Sequence, residues 1–146
     1  MVIGLGADGR GDDAAGLEVV RRLRGSLPRS VAVVESAADP AQIVEAWTGA
    51  RLAVVVDAVS SGAAPGTVHR DPGVPGGASW RGSSHSFGLA DAVALGRALG
   101  RMPARLLVIG IEGGDFAIGA PITPPVMSAI AALAQELTLE FRQTCR

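Results

Sequence analysis

Apolar residues fall into two kinds of run along the chain. The first kind is short and nearly continuous: residues 1–5 (MVIGL), 31–35 (VAVVE), 51–56 (RLAVVV) and 105–112 (RLLVIGIE). Such runs read as strands covered on both faces. The second kind is spaced at helical intervals. It comprises Leu17, Val19, Val20 and Leu23 within 12–24, then Ile43, Val44 and Trp47, then Leu89, Val93, Leu95 and Leu99 within 84–99, and finally Val126, Ile130, Leu133, Leu137 and Phe141. Strands and helices therefore alternate, which predicts an α/β fold, a three-layer α/β/α sandwich around a mostly parallel sheet of about five strands. A further short run, 65–70 (PGTVHR), follows its predecessor too closely for a helical crossover, so it is expected to pair antiparallel or to lie at an edge. With no internal repeat, residues 1–146 read as a single domain.

Punctuation supports these boundaries. Gly4, Gly6, Gly9 and Gly11 allow a tight turn after the first strand, and Asp12 and Asp13 stand where the first helix should begin. Asp12 is read as the acid that caps that helix. Asp39-Pro40-Ala41-Gln42 predicts a second start, with Asp39 as N-cap, Pro40 in the first turn and Gln42 reaching back. Thr123-Pro124 opens the last helix. Residues 71–84 form one long irregular stretch rich in Gly, Pro and Ser, and loops of that length are commonly functional; Trp80 within it is a candidate substrate clasp.

Composition narrows the chemistry. Thirteen basic and 14 acidic residues leave a net charge of −1, with no electrostatic footprint for nucleic acid. No apolar run approaches the roughly 20 residues of a membrane span, and no basic leader precedes the first strand, so the expectation is a cytoplasmic protein with no membrane partner. The chain has no Lys, Asn or Tyr, and its one cysteine, Cys145, is next to the C-terminus. Carboxylates, hydroxyls, the backbone and two histidines must supply any chemistry.

Ligands of open α/β sheets bind beyond the carboxyl ends of the strands. Asp12 and Asp13, Glu35, Asp57 and Glu112 all fall there, and His85 can reach the same rim. Two readings compete. GLGADG fits G-x-G-x-x-G with Glu35 as a ribose acid, yet two acids at the helix start would repel a pyrophosphate. Alternatively Asp13, Asp57 and His85 form a metal site, two carboxylates and an imidazole suiting a divalent cation with open positions. Each of the three also has a plain structural explanation: a second capping acid, a loop-binding strand-end acid, and a residue near a helix start. His69 reads as a surface or edge residue and Glu112 as a solvated strand-end acid.

Four blocks in order carry a resemblance: GLGADGRGDDAAG, VVVDAVSSGAAPGTV, SSHSFGL, and VIGIE followed by a proline-opened helix. Together the chain resembles the nickel–iron hydrogenase maturation proteases, which trim the C-terminal extension from a hydrogenase large subunit. The resemblance implies that Asp13, Asp57 and His85 are the catalytic and metal-binding residues. It implies nickel as the cofactor, carried by the substrate, and the large-subunit precursor as the partner. Where the family has Asn after the second glycine this chain has Ala7, then Asp8, which leaves the trio intact but bears on activity or partner choice. A metal- or peptide-binding chaperone of the same fold is the alternative of a different class.

Overall fold

The computed structural model describes residues 1–72 and 86–145. His85, Trp80 and most of the irregular 71–84 stretch lie outside the described residues. Among the described residues the order is β1 (Val2–Leu5), a 3-10 turn (Gly11–Ala14), α1 (Ala15–Leu23), β2 (Val33–Ser36), α2 (Pro40–Trp47), β3 (Leu52–Val59), β4 (Val68–Pro72), α3 (Ser86–Leu99), β5 (Arg105–Glu112) and α4 (Pro124–Thr144). The sheet runs β2-β1-β3-β5-β4. β1, β2, β3 and β5 are parallel, while β4 pairs antiparallel with β5 at the edge. The α/β sandwich and the antiparallel edge strand are as the pattern predicts.

Alternate residues of the strands point to opposite faces, so β1, β3 and β5 each feed two cores. Val2, Val54, Val56, Ile109 and Ile111 pack with Val19 and Val20 of α1 and with Ile130, Leu133 and Leu137 of α4. Ile3, Leu5, Val55, Val59 and Val108 pack with Ile43 and Trp47 of α2 and with Leu89 and Val93 of α3. Trp47 is fully buried, and its indole N–H donates to the Arg101 carbonyl at 2.8 Å, satisfying its one polar atom.

α1 lies unusually close to the sheet because two glycines meet. A Cβ on Gly16 would collide with the carbonyl oxygens of Leu5 and Val56, and one on Gly4 with the carbonyl of Gly16. The glycine of the first block therefore seats the helix on β1 and β3, whose ends carry the rim residues.

Several boundaries shift for local reasons. β2 begins at Val33, because Val31 is held in a turn by its N–H bond to the Pro28 carbonyl at 2.9 Å. β3 runs on to Val59, in register with β5 from Leu52↔Arg105 to Val59↔Glu112, so Asp57 lies inside the strand rather than after it. β4 starts at Val68, since the Thr67 N–H closes a turn onto the Ala64 carbonyl at 3.1 Å. Asp39 caps α2 as predicted, accepting from the N–H groups of Ala41 and Gln42 at 2.9 and 3.4 Å. Gln42 does not reach back; its Oε1 accepts from Ser36 Oγ at 2.8 Å. No helix of the described residues is long and apolar enough to cross a membrane.

Candidate active site

Asp12 and Asp13 occupy the 3-10 turn ahead of α1, and both are buried. Asp12 does not cap α1. Its Oδ2 accepts from the N–H groups of Gly114 and Asp115 at 2.8 and 3.1 Å, and its Oδ1 accepts from the Thr123 N–H at 2.7 Å. Thr123 Oγ1 donates to the same carboxylate, at 2.9 Å from Oδ2. The carboxylate thus spans the β5–α4 connection and fixes the residue at which α4 begins. Buried among these donors, the carboxylate satisfies backbone groups that would otherwise be stranded. The turn is further tied down by the Gly11 N–H bond to Ala120 and the Asp12 N–H bond to Asp115, at 3.0 and 2.8 Å.

Asp13 follows on the same turn, and its fractional exposure is 5%. Asp57 lies near the carboxyl end of central strand β3, 1% exposed, with Oδ1 accepting from the Ala58 N–H at 2.8 Å. The turn packs against β3, and Gly16, one helical turn past Asp13, touches the carbonyl of Val56, the residue before Asp57. The fold therefore seats the segments carrying Asp13 and Asp57 against each other. His85 is outside the described residues, and within those residues no group of three His, Cys, Asp or Glu side chains is arranged to hold a metal ion.

Two rim acids differ from their sequence reading. Glu112 is not solvated: it is 1% exposed. Its Oε1 accepts from the N–H and hydroxyl of Ser61, both at 2.7 Å, and from the Ala63 N–H at 2.9 Å, binding the β3–β4 loop. The signal was its setting in IGIEGG, an acid inside an apolar strand and flanked by glycines that leave room for a second chain segment. Its other oxygen faces Nε2 of His69 at 3.7 Å. His69 is on the edge strand as expected, but half-buried against that carboxylate rather than on open surface.

Glu35 is consumed by arginines. It pairs with Arg21 and Arg24, both at 2.8 Å, and Arg21 also binds Asp8 and Glu18 at 2.8 and 2.9 Å. Hydrogen bonding from Arg21 holds the Asp8 carboxyl below its ordinary value, and the same partners push the guanidinium up. Gly6, Asp8, Arg21, Glu35 and Ser36 line a groove of about 410 Å³ at the ends of β1 and β2. Acids on its wall and a saturated arginine suit no phosphate, which removes support for the dinucleotide reading.

A model of a family described as hydrogenase maturation protease matches residues 17–140, taking in Asp57 and His85 and starting just past Asp13. The chain is 30% identical over 138 residues to the hydrogenase expression/formation protein HupD of Bradyrhizobium diazoefficiens, covering 90% of this chain and 71% of that one. It is 27% identical over 149 residues to the hydrogenase 2 maturation protease of Escherichia coli, covering 99% and 91%. Its fold superposes on the hydrogenase maturating endopeptidase HybD of E. coli with a TM-score of 0.85 at 25% identity, covering 98% and 91%. By the family match, the relatives and the fold, this chain belongs to the hydrogenase maturation proteases, a family of endopeptidases.

Proposed function

We propose that the protein removes the C-terminal extension of a nickel–iron hydrogenase large-subunit precursor once nickel has been inserted, with Asp13, Asp57 and His85 as the residues that meet the metal. The observation that carries this reading is the burial of Asp13 and Asp57 on two segments packed at the carboxyl end of the sheet. Their neighbours Asp12 and Glu112 anchor the β5–α4 connection and the β3–β4 loop on either side of them.

Nickel belongs to the substrate in this scheme. Carboxylate oxygens and an imidazole nitrogen are suitable donors for a divalent nickel whose coordination the precursor leaves incomplete. The metal then acts as the handle by which the protease recognises a finished precursor and places one peptide bond beside the rim. Cleavage adds water across that bond: the carbonyl carbon gains the hydroxyl and the departing nitrogen gains the proton.

The test mixes the protein with nickel-loaded and with nickel-free precursor. Shortening of the loaded form alone is expected, and its loss in Asp13→Asn, Asp57→Asn and His85→Ala. Equal cleavage of both forms would refute the nickel handle. Unchanged processing by all three variants would refute the site.

A further inference from the structure

We infer that His69 and Glu112 form a divalent-cation subsite at the β4–β5 edge of the sheet, outside the Asp13, Asp57 and His85 trio. Glu112 is 1% exposed, and three donors on Oε1 fix its carboxylate. Its Oε2 and the Nε2 of His69 are both buried atoms with no hydrogen-bond partner, 3.7 Å apart. A carboxylate oxygen facing an imidazole nitrogen in a site shielded from water needs a positive charge between them, a proton on the nitrogen or a cation. Among the described residues His69 is the only basic group within ion-pair reach of Glu112, because neighbouring Arg70 pairs instead with Glu136 and Glu140 of α4.

Two positive charges are available, a proton or a metal ion, and the spacing separates them. A proton shared by imidazole and carboxylate draws the heavy atoms to about 2.8 Å. Two ligand atoms each about 2.1 Å from one cation stand about 3.4 Å apart in a tetrahedral shell, and further apart at wider angles. The observed separation falls on the metal side. One imidazole nitrogen and one carboxylate oxygen suit a borderline cation such as Zn(II), Co(II) or Ni(II), with the other positions taken by water or a substrate group. The His69 side chain keeps 29% of its surface exposed, which leaves a route in from solvent at the sheet edge.

The subsite is placed to matter. His69 pairs across the sheet with Gly110, and Gly110 pairs with Asp57, so His69 and Asp57 lie in one cross-strand row on one face. A cation there would also brace the β3–β4 loop that leads away from Asp57, through the carboxylate that already anchors it.

The test reads cation binding rather than cleavage, so it stands apart from the function proposed above. The full chain carrying Asp57→Asn, to weaken the trio, is titrated with Zn(II) by calorimetry and with Co(II) by absorption. The His69 ring nitrogens are followed by NMR. Expected are one bound equivalent, a Zn(II)-induced shift confined to Nε2 of His69, and a loss of affinity of at least tenfold on adding His69→Gln. Glu112→Gln should weaken binding similarly, but it also frees the loop, so His69→Gln at the edge position decides. A His69 ring that ignores Zn(II), with titrations unchanged in His69→Gln, would overturn the subsite and leave a pair joined by a proton.

Discussion

Asp12 and Asp13 are neighbours in the chain, yet replacing them should have opposite consequences. Asp12→Ala strands the N–H groups of Gly114, Asp115 and Thr123 in a buried setting. Hydrogen bonds to a charged acceptor are worth about 1.5–3 kcal/mol each and are not additive, so a loss of about 3–5 kcal/mol is expected in urea unfolding. Asp13→Asn should remain folded while failing to process nickel-loaded precursor. A wild-type midpoint for Asp12→Ala would show that its four-donor network is not holding the β5–α4 connection. Asp8 offers a pH test. Arg21 lowers its folded pKa below 3.8, so its contribution is present above that value and disappears as pH falls through the lowered one. Its side chain is 65% exposed, so the contribution should be only about 0.5 kcal/mol. The stability gap between wild type and Asp8→Ala, measured across pH 2–7, should close at the acid end and shrink in high salt.

α1 shows how an element rather than a side chain delivers the site. Gly16→Ala would drive a methyl into the carbonyls of Leu5 and Val56, lifting the helix and the turn ahead of it from β1 and β3. A loss of about 3 kcal/mol or more in denaturant unfolding is expected, with processing impaired even where the variant remains folded. Activity and stability both at wild-type level would mean that the helix has slack the structure does not show. Elements of this kind were legible in advance because their causes are local. Continuous apolar runs marked β1, β3 and β5, Asp39-Pro40 marked the start of α2, and the short spacing before PGTVHR marked an antiparallel edge. What stayed hidden depends on segments remote in sequence. Asp12 looked like a cap for its own helix because its true partners are 102 to 111 residues away. Glu112 looked solvated because the Ser61–Ala63 loop that buries it arrives from 51 and 49 residues upstream. Asp13 and Asp57 were picked out by family resemblance as much as by rim position, since no spacing rule says that two strand ends will converge.

The molecule as a whole divides into a rim that carries chemistry and two cores that carry stability, joined by one sheet. Because Val54 and Val56 face α1 and α4 while Val55 faces α2 and α3, neither core can dissolve without unpairing β3. The two cores should therefore unfold as one cooperative unit. Ile130→Val removes a methyl from a fully buried position in the α1/α4 core, and Ile43→Val does the same in the α2/α3 core. Each should cost about 0.5–1.5 kcal/mol, and the double variant should lose close to the sum, since the sites share no partner. In a Trp80→Phe background Trp47 is the only tryptophan, and it lies in the α2/α3 core. Its fluorescence and the far-UV circular dichroism should then report the same midpoint in every variant. If Ile130→Val moved the dichroism midpoint and left Trp47 behind, the two faces would be separate folding units. The rim between them could then not be held rigid by both.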